Sequence, residues 1–368
     1  MYNVQLEAFC KTHGLGEVVE SSLFPQGMTN RTYFVETTEG KYVIKALNPK
    51  FVNTEDKRKK IEISEYLAEI AYHADIPSIS ANRINGNIIN EFCGQYYMVF
   101  NFFEGKIRTL KNITVENCFR IGQLLAEMHN INFGNSLNFD IANISNYYYG
   151  GEFKSGINWN YYFKKISKKK KKPEWLAHLE SHLDDLYEMF DISQSTFKDF
   201  KPQDKVIAHG DVFHQNTLWY DDIPHIIDWE TSGVIDATYD CLHTAMRWAT
   251  EHTEGHEMVV SIDKIYAFLN GYSEVRRIKV KRLEIVLNMI WYRRLTYLRF
   301  ALRRYVKPQD KTDQKRAARK IIYSLAILKS YKEFKHHLSD IKNYIIQQQP
   351  EQHSIKYHVG KFFQKFKK

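Results

Sequence analysis

Residues 206–230, VIAHGDVFHQNTLWYDDIPHIIDWE, restrict what this chain can fold into more than any other stretch. Three apolar runs, VIA, TLWY and HIID, are each too short for a helix and are bounded by polar residues. The spacing predicts strand–loop–strand–turn–strand, with Asp221 and Asp222 in the turn between the last two strands. Asp211 and Asn216 then fall on the loop before the second strand, and Asp228 at the far end of the third. A hairpin closed at 221–222 brings Asn216 and Asp228 together. A carboxylate and an amide oxygen are hard ligands, and that pair suits Mg2+ carrying a phosphate. Asp211 is left to orient or deprotonate a hydroxyl nucleophile.

The rest of the chain divides by pattern. In the first hundred residues, TYFVETT and KYVIKAL are β-rich runs joined at Glu39-Gly40, a hairpin signal. A single helix is expected over 57–74, from the spacing of Ile63, Leu67, Ile70 and Ala74. Strands punctuated by Asn85-Gly86 and Gly94 follow. Helical patterns take over from about residue 113, where Ile121, Leu124, Leu125 and Met128 share a face. They dominate after 235, notably over 261–272, 281–305 and 312–346. We expect an α+β arrangement: a small β-rich lobe over 1–104, a larger mainly helical lobe over 105–349 and a tail over 350–368. Lys45, in VIKAL, faces the same way as Val43 and Leu47 on its strand, and a lysine among apolar residues is costly unless paired.

With these pieces in hand, HGDVFHQN followed by IIDWE resembles the signature of the aminoglycoside phosphotransferase-like family. That family includes relatives of choline kinases and type II homoserine kinases, and has the bilobal protein-kinase-like fold. The resemblance covers most of residues 20–305 and implies ATP and Mg2+ as cofactors. It implies that Asp211 is the catalytic base, that Asn216 and Asp228 hold Mg2+, and that His209 supports the loop. Lys45 is then the phosphate-contacting lysine. Glu65 is its expected helix partner, with Glu62 and Glu69 as rivals. PQGMTNRTYFV is similar to the family's nucleotide loop, where Gly27 permits close approach to phosphate and Asn30 braces the loop. YYMVFNFFEG (96–105) looks like the hinge that meets adenine, at Asn101 and Phe103. IGQLLAEMH matches a family helix in which His129 is structural. The segment after IDWE departs from the family's G-D-P-x-x-D-L-A: Ile235 and Ala237 replace Gly and Pro, while Asp236 and Asp240 keep their places. Asp240 is assigned to bracing the catalytic loop.

Composition narrows the partners. The chain carries a formal +9, which suits an anionic ligand or surface, yet no helix-turn-helix, zinc-finger or RNP pattern is present, so nucleic acid is not expected. No run reaches the roughly 18 uninterrupted apolar residues of a membrane span. There is no basic start followed by an apolar core, and Cys10, Cys93, Cys118 and Cys241 form no C-x-x-C pair. Free thiols in a reducing cytosol, hence a cytoplasmic protein, are the expectation. The lysine-rich patch 164–172 reads as a solvated loop or helix end. The tail, with Val359, Phe362, Phe363 and Phe366 opposite Lys361, Lys365 and Lys368, offers a weak membrane-surface contact, or docking on the large lobe.

The acceptor is expected to be a small amino-bearing alcohol or sugar: homoserine-, choline- or aminoglycoside-like. Trp159, Tyr161, Tyr162, Trp248 and Trp291 are candidates for a cation pocket or for core, and Glu251, Glu254 and Glu257 for attracting an amine. The alternative is a non-catalytic, spore-coat-like structural member of the same fold. Retention of Lys45, Asp211, Asn216 and Asp228 weighs against it.

Overall fold

Alternating burial along the strands explains the small lobe. The protein's structure, a computed structural model, describes residues 2–25, 30–131, 157–253 and 257–348. Five antiparallel strands, β1 (Val18–Leu23), β2 (Arg31–Thr37), β3 (Gly40–Ala46), β4 (Asn90–Phe92) and β5 (Gln95–Asn101), form one sheet in the order β1-β2-β3-β5-β4. Successive side chains point to opposite faces. Val35, Ile44, Tyr97 and Val99 pack on one side with Leu6, Phe9 and Cys10, whereas Met98 and Phe100 pack with Leu47, Val52, Ala81 and Ile88 on the other. Lys45 pairs with Met98 in register and so shares the second face. The helix carrying Leu6, Phe9 and Cys10, α1 (Tyr2–Thr12), is an element the sequence reading missed. The strand signals around it drew that reading to β-structure.

Three two-residue turns use left-handed backbone. Asn85 and Gly86, Cys93 and Gly94, and Asp221 and Asp222 all have positive φ, the geometry that lets a two-residue loop follow strand twist. The β2–β3 turn falls on Thr38 and Glu39, one residue earlier than expected, since Thr37 pairs with Gly40.

Helix α2 (Glu55–His73) is capped by Thr54, whose side chain accepts from the Lys57 amide. It buries Ser64, Glu65, Leu67, Ala68 and Ala71. Ile63 and Ile70 are only half-buried and Ala74 is exposed, so the inward face is rotated about one position from the expected one. That rotation turns Glu65 inward.

The larger lobe begins with β6 (Lys106–Ile107), which joins β8 (Thr217–Tyr220) and β9 (Ile223–Ile226) in a three-stranded sheet. β7 (Lys205–Ala208) pairs instead with β10 (Gly233–Asp236), a strand the sequence reading did not identify. Around these sheets lie α3 (Val115–His129), α4 (Trp159–Ser167), α5 (Leu176–Ser181), α6 (Leu183–Asp199), α7 (Ala237–Trp248), α8 (Ile262–Val275), α9 (Leu283–Val306), α10 (Lys311–Phe334) and α11 (Leu338–Gln348). The expected single helix over 312–346 is broken by a tight turn at Lys335–His337. β11 (Thr250–His252) and β12 (Met258–Val260) add a short hairpin after α7.

The tight crossing of α3 and α8 is written in two glycines. A Cβ on Gly122 of α3 would lie 2.1 Å from the Phe268 carbonyl oxygen of α8, and one on Gly271 of α8 would lie 2.0 Å from that of Phe119. Trp159, Trp248 and Trp291 are all buried in the core of this lobe. The lysine patch spans the last turn of α4 and the residues after it, and apart from Lys169, whose ammonium sits 4.3 Å from the Tyr305 ring centroid, its lysines are exposed. Among the described residues no helix is long and apolar enough to cross a membrane. The tail 350–368, and with it the surface contact expected there, lies outside the described residues.

Between the lobes, the end of β9 is stitched to residues 77–79. The Ile226 amide donates to Pro77 O at 2.7 Å and the Ile79 amide donates to Ile226 O at 2.9 Å. This stitch brings the residues just after β9 under the small-lobe sheet.

Candidate active site

The loop after β7 is held by its own backbone and by buried side chains. Gly210 takes φ +74°, which turns the chain sharply after His209. His209 is fully buried and its pKa is lowered, first by burial. Its Nε2–H donates to Ile227 O at 3.0 Å, and its Nδ1 accepts the Asp211 amide at 3.2 Å. Those two bonds require the neutral Nε2–H tautomer. Thr231 Oγ1 donates to His209 O at 3.0 Å and Trp248 Nε1 to Val212 O at 3.1 Å. His209 therefore supports the loop mechanically.

Asp211 and Asn216 come together on this loop. Asn216 Nδ2 donates to both the carbonyl oxygen and Oδ2 of Asp211, at 3.0 and 2.9 Å. Arg247 of α7 binds the other carboxylate oxygen, Oδ1, and lies 4.0 Å over the Phe213 ring. Burial pushes the Asp211 carboxyl up, but the Arg247 guanidinium together with His209 and Arg293 outweighs it and the pKa falls below the usual range. Arg247 was not anticipated. Its signal was present, though: a lone arginine in the apolar run CLHTAMRW is costly unless paired, the same reasoning that singled out Lys45.

Asp228 sits two residues beyond β9 with φ 68° and ψ 60°. A non-glycine residue there is strained, a cost of about 1–2 kcal/mol. Bonds on the preceding residue hold it: the Ile227 amide donates to Asn216 O at 3.0 Å, while Ile227 O accepts from His209. The carboxylate so presented is 2.8 Å from Lys45 Nζ. Lys45 lowers the Asp228 pKa more than burial raises it. Burial likewise pulls Lys45 toward neutrality, but Asp228, Glu230 and Glu65 together hold its pKa above the usual value.

Lys45 is therefore paired first with Asp228, not with the glutamate of α2 expected from the sequence. Glu65 is the one of the three candidates that couples to Lys45. Its Oε2 accepts the Ala81 amide at 2.8 Å, and burial pushes its pKa to about 7 against the pull of Lys45. Glu69 is taken by Arg83 at 2.8 Å, and Glu62 is exposed. Geometrically, Asp228 reaches Lys45 because the stitch at 77–79 lifts the end of β9 to the sheet.

Asn30 braces more than its own loop. Its Oδ1 accepts the Asn48 amide at 3.0 Å, and its Nδ2 donates to Glu230 Oε1 at 2.8 Å, across the lobes. Glu230 also lies 3.9 Å from Lys45 Nζ. Burial raises the Glu230 pKa above the usual value. Glu230, the last residue of IIDWE, is a second site member that sequence reasoning missed. Gly27 lies outside the described residues. Asn101 is exposed at the end of β5 and accepts from Asn82 Nδ2 at 2.7 Å. The Phe103 ring packs on His225, with centroids 4.2 Å apart. A Cβ on Gly105 would come within 2.6 Å of Phe103, so this connector admits no side chain there.

Asp236 and Asp240 do different work from that expected. Asp236 caps α7, accepting from the Thr238 and Tyr239 amides. Asp240 binds His129 Nε2 at 3.1 Å, while His129 Nδ1 meets the Tyr272 hydroxyl at 2.8 Å. This buried network joins α3, α7 and α8, and the hydrogen bonds that brace the loop after β7 come from His209, Thr231 and Trp248. Glu251 and Glu257 bind Lys264 and Lys329 at 2.7 and 3.0 Å, and Glu254 lies outside the described residues.

A divalent cation fits the donor set. Because Asn216 spends its Nδ2 on Asp211, its amide oxygen is turned away from that residue, and the Asp228 side chain keeps 41% of its surface exposed. These are two hard oxygen donors, which suit Mg2+ when phosphate oxygens complete the shell. Among the described residues no three His, Cys, Asp or Glu side chains gather into a metal site without such help.

Comparisons with known proteins bear on the family and the fold. A family model described as "Phosphotransferase enzyme family" matches residues 20–276. Among curated proteins, a homoserine kinase of Methylobacillus flagellatus is 25% identical over 285 residues, covering 74% of this chain and 76% of that protein. A homoserine kinase of Paramagnetospirillum magneticum is 24% identical, covering 76% and 79%. Among solved structures, a spectinomycin phosphotransferase bound to ADP and spectinomycin aligns with a TM-score of 0.60 and 14% identity, over 94% of this chain and 98% of that one. A choline kinase of Cryptosporidium parvum Iowa II aligns with a TM-score of 0.52 and 14% identity, over 93% and 99%. The fold is the α+β, bilobal, protein-kinase-like one, and the chain belongs to the phosphotransferase enzyme family.

Proposed function

We propose that this phosphotransferase moves the γ-phosphoryl group of ATP to the hydroxyl of a small amino-bearing molecule, of the homoserine, choline or aminoglycoside kind. One observation carries the reading. The carboxylate on the loop after β7 is bonded to Asn216, while a second carboxylate, Asp228, is held 2.8 Å from the half-buried Lys45. Nucleotide in the structurally similar proteins, ADP in one and AMP-PNP in another, supports the choice of donor.

In this reading Lys45 binds phosphate oxygens, and Asn30 and Glu230 hold the loop and strand that present it. Gly27, Asn101 and Phe103 remain assigned to the nucleotide, with the backbone of 102–104 as the adenine contact. Asp211 aligns the acceptor hydroxyl and takes its proton as the oxygen attacks the γ-phosphorus. The bond from that phosphorus to the β–γ bridging oxygen breaks, and ADP leaves. Mg2+, held by Asn216 and Asp228, supplies charge neutralisation on the phosphates when bound. Positioning and electrostatics provide most of the acceleration.

The test is Mg-ATP turnover across hydroxylated amines, amino acids and aminoglycosides, with Asp211→Asn alongside. Turnover should appear on at least one acceptor and fall by about a thousandfold or more in the variant, with ATP affinity nearly unchanged. Full activity in Asp211→Asn would remove Asp211 from the chemistry. ATP binding with no turnover on any acceptor would favour a structural role.

A further inference from the structure

A cation from another element stands against the carboxylate of Asp211. The loop 209–216, HGDVFHQN, contains neither lysine nor arginine. Its positive partner comes from α7, whose Arg247 Nη1 donates to Asp211 Oδ1. The guanidinium lies 4.0 Å over the Phe213 ring, a stacking that restrains its plane. Helix α7 holds that position firmly. Trp248, the next residue, is fully buried and donates to Val212 O at 3.1 Å, so the end of the helix is pinned to the loop. Asp236 caps the other end of α7, and Asp240 ties the helix to His129. Arg247 therefore projects from a fixed frame onto the reacting group.

Asp211 does not use this arginine fully. A guanidinium has five N–H donors in a planar fork. Among the described residues, its hydrogen bond to Asp211 engages Nη1. The Arg247 side chain keeps 16% of its surface exposed and that of Asp211 33%, so both are accessible from solvent. An acceptor hydroxyl bonded to Asp211 sits about 2.6–3.2 Å from it, and an oxygen poised for attack lies about 3–3.5 Å from the phosphorus. The transferring group then comes within roughly 6 Å of the carboxylate that Arg247 already touches. It is an anion brought up to an anion, and needs a cation there. Lys45 stands at Asp228, 2.8 Å away, and Arg247 at Asp211, so each of the two carboxylates has its own cation.

We propose that Arg247 is a catalytic residue, whose guanidinium contacts the γ-phosphoryl oxygens during transfer while it also holds Asp211. The inference rests on the phosphotransferase reading above and adds a group to its chemistry. In the transition state charge spreads over three equatorial phosphoryl oxygens. The planar fork can serve one of them and a carboxylate together, which a lysine cannot match. Arg247 neither gains nor loses a proton. The acceptor O–H proton goes to Asp211, the new oxygen–phosphorus bond forms, and the electron pair of the bond to the bridging oxygen leaves with ADP. Once Asp211 carries the proton its charge is gone, and the phosphoryl group remains as the anion for Arg247. Arginines acting on a transferring phosphoryl group accelerate GTP hydrolysis by about a thousandfold or more.

The test uses the full chain with Mg2+ and compares ADP, ADP with aluminium fluoride, and AMP-PNP by calorimetric titration, water standing in for the acceptor. Aluminium fluoride beside ADP mimics the planar transferring group, and AMP-PNP the ground state. The native chain should bind ADP at least tenfold more tightly with aluminium fluoride than without. Arg247→Gln should lose most of that gain, while its affinity for AMP-PNP stays within about threefold. Turnover of radiolabelled ATP on the acceptor panel is then followed in Arg247→Gln, Asp211→Asn and the double variant. Arg247→Gln should lower kcat at least a hundredfold, and adding it to Asp211→Asn should cost at least a further tenfold. Should Arg247→Gln not fold, Arg247→Lys, which keeps the charge without the fork, should move both readouts in the same direction. A full aluminium fluoride gain in the arginine variant overturns the inference. So does a double variant no slower than Asp211→Asn, since Arg247 would then act only through Asp211. A native chain with neither gain nor turnover counts against phosphotransfer itself; gain and turnover that Arg247 does not affect count against this inference alone.

Discussion

Glu65 carries an electrostatic consequence that stability measurements can read directly. Burial raises its pKa to about 7, from an ordinary carboxylate value of 4.5. The folded protein thus retains a proton that the unfolded chain loses between those two values. The contribution is complete below about pH 4.5 and is lost as pH rises to about 7. Glu65→Gln, which keeps an oxygen for the Ala81 amide, should remove that dependence. Denaturant titrations at pH 5 and pH 8 should show the variant gaining, relative to the native chain, about 2–3 kcal/mol at the higher pH. An unchanged difference would mean that Lys45 keeps Glu65 ionised throughout. Asp228 offers a second residue-scale test, because its backbone is left-handed and its carboxylate holds the charge. Asn tolerates that backbone as well as Asp does. Asp228→Asn should therefore add no backbone strain but cost about 1–3 kcal/mol of stability, as Lys45 loses its nearest anion, while kcat/KM for Mg-ATP falls at least a hundredfold.

At the scale of elements, legibility followed local pattern. The hairpins at 85–86, 93–94 and 221–222 were readable because Asn, Asp and Gly accept positive φ, and each turn closes within two residues. The loop with Asp211 and Asn216 was readable for the same reason: residue type and spacing are local. Helix α1 was hidden because its apolar residues matter only through the sheet face they cover. The rotated inward face of α2 was hidden too, since Glu65 is tolerated there only with Lys45 and the Ala81 amide beside it. The α3–α8 crossing could not be read at all, as nothing in IGQLLAEMH says which helix meets Gly122. Structure makes that glycine testable. Gly122→Ala places a Cβ against backbone, which cannot swing aside, so the helices must separate. A loss of about 2–3 kcal/mol in chemical denaturation is expected, and neutrality would show that α3 and α8 can slide apart.

For the whole molecule, the decisive contacts run between lobes: Lys45 to Asp228, Asn30 to Glu230, and the stitch of Ile226 to 77–79. Nucleotide binding should reinforce this joint, because a ligand that prefers the folded state stabilises it by mass action. Saturating Mg-ATP at a hundred times its dissociation constant should add about 2.7 kcal/mol, visible as a rise in Tm. Lys45→Met should abolish most of that rise, and retention of the full rise would place the phosphates elsewhere. By itself the sequence determined the family signature and singled out the candidate base, the candidate pair of metal ligands and the candidate phosphate-binding lysine, since each is a local coincidence of residue type, spacing and strand direction. Only the tertiary structure decided that Lys45 pairs with Asp228 rather than first with Glu65, that Glu230 joins them, and that Arg247 sits on Asp211. Those partners come from segments far apart in the chain, and burial, not spacing, sets which charges must find one another.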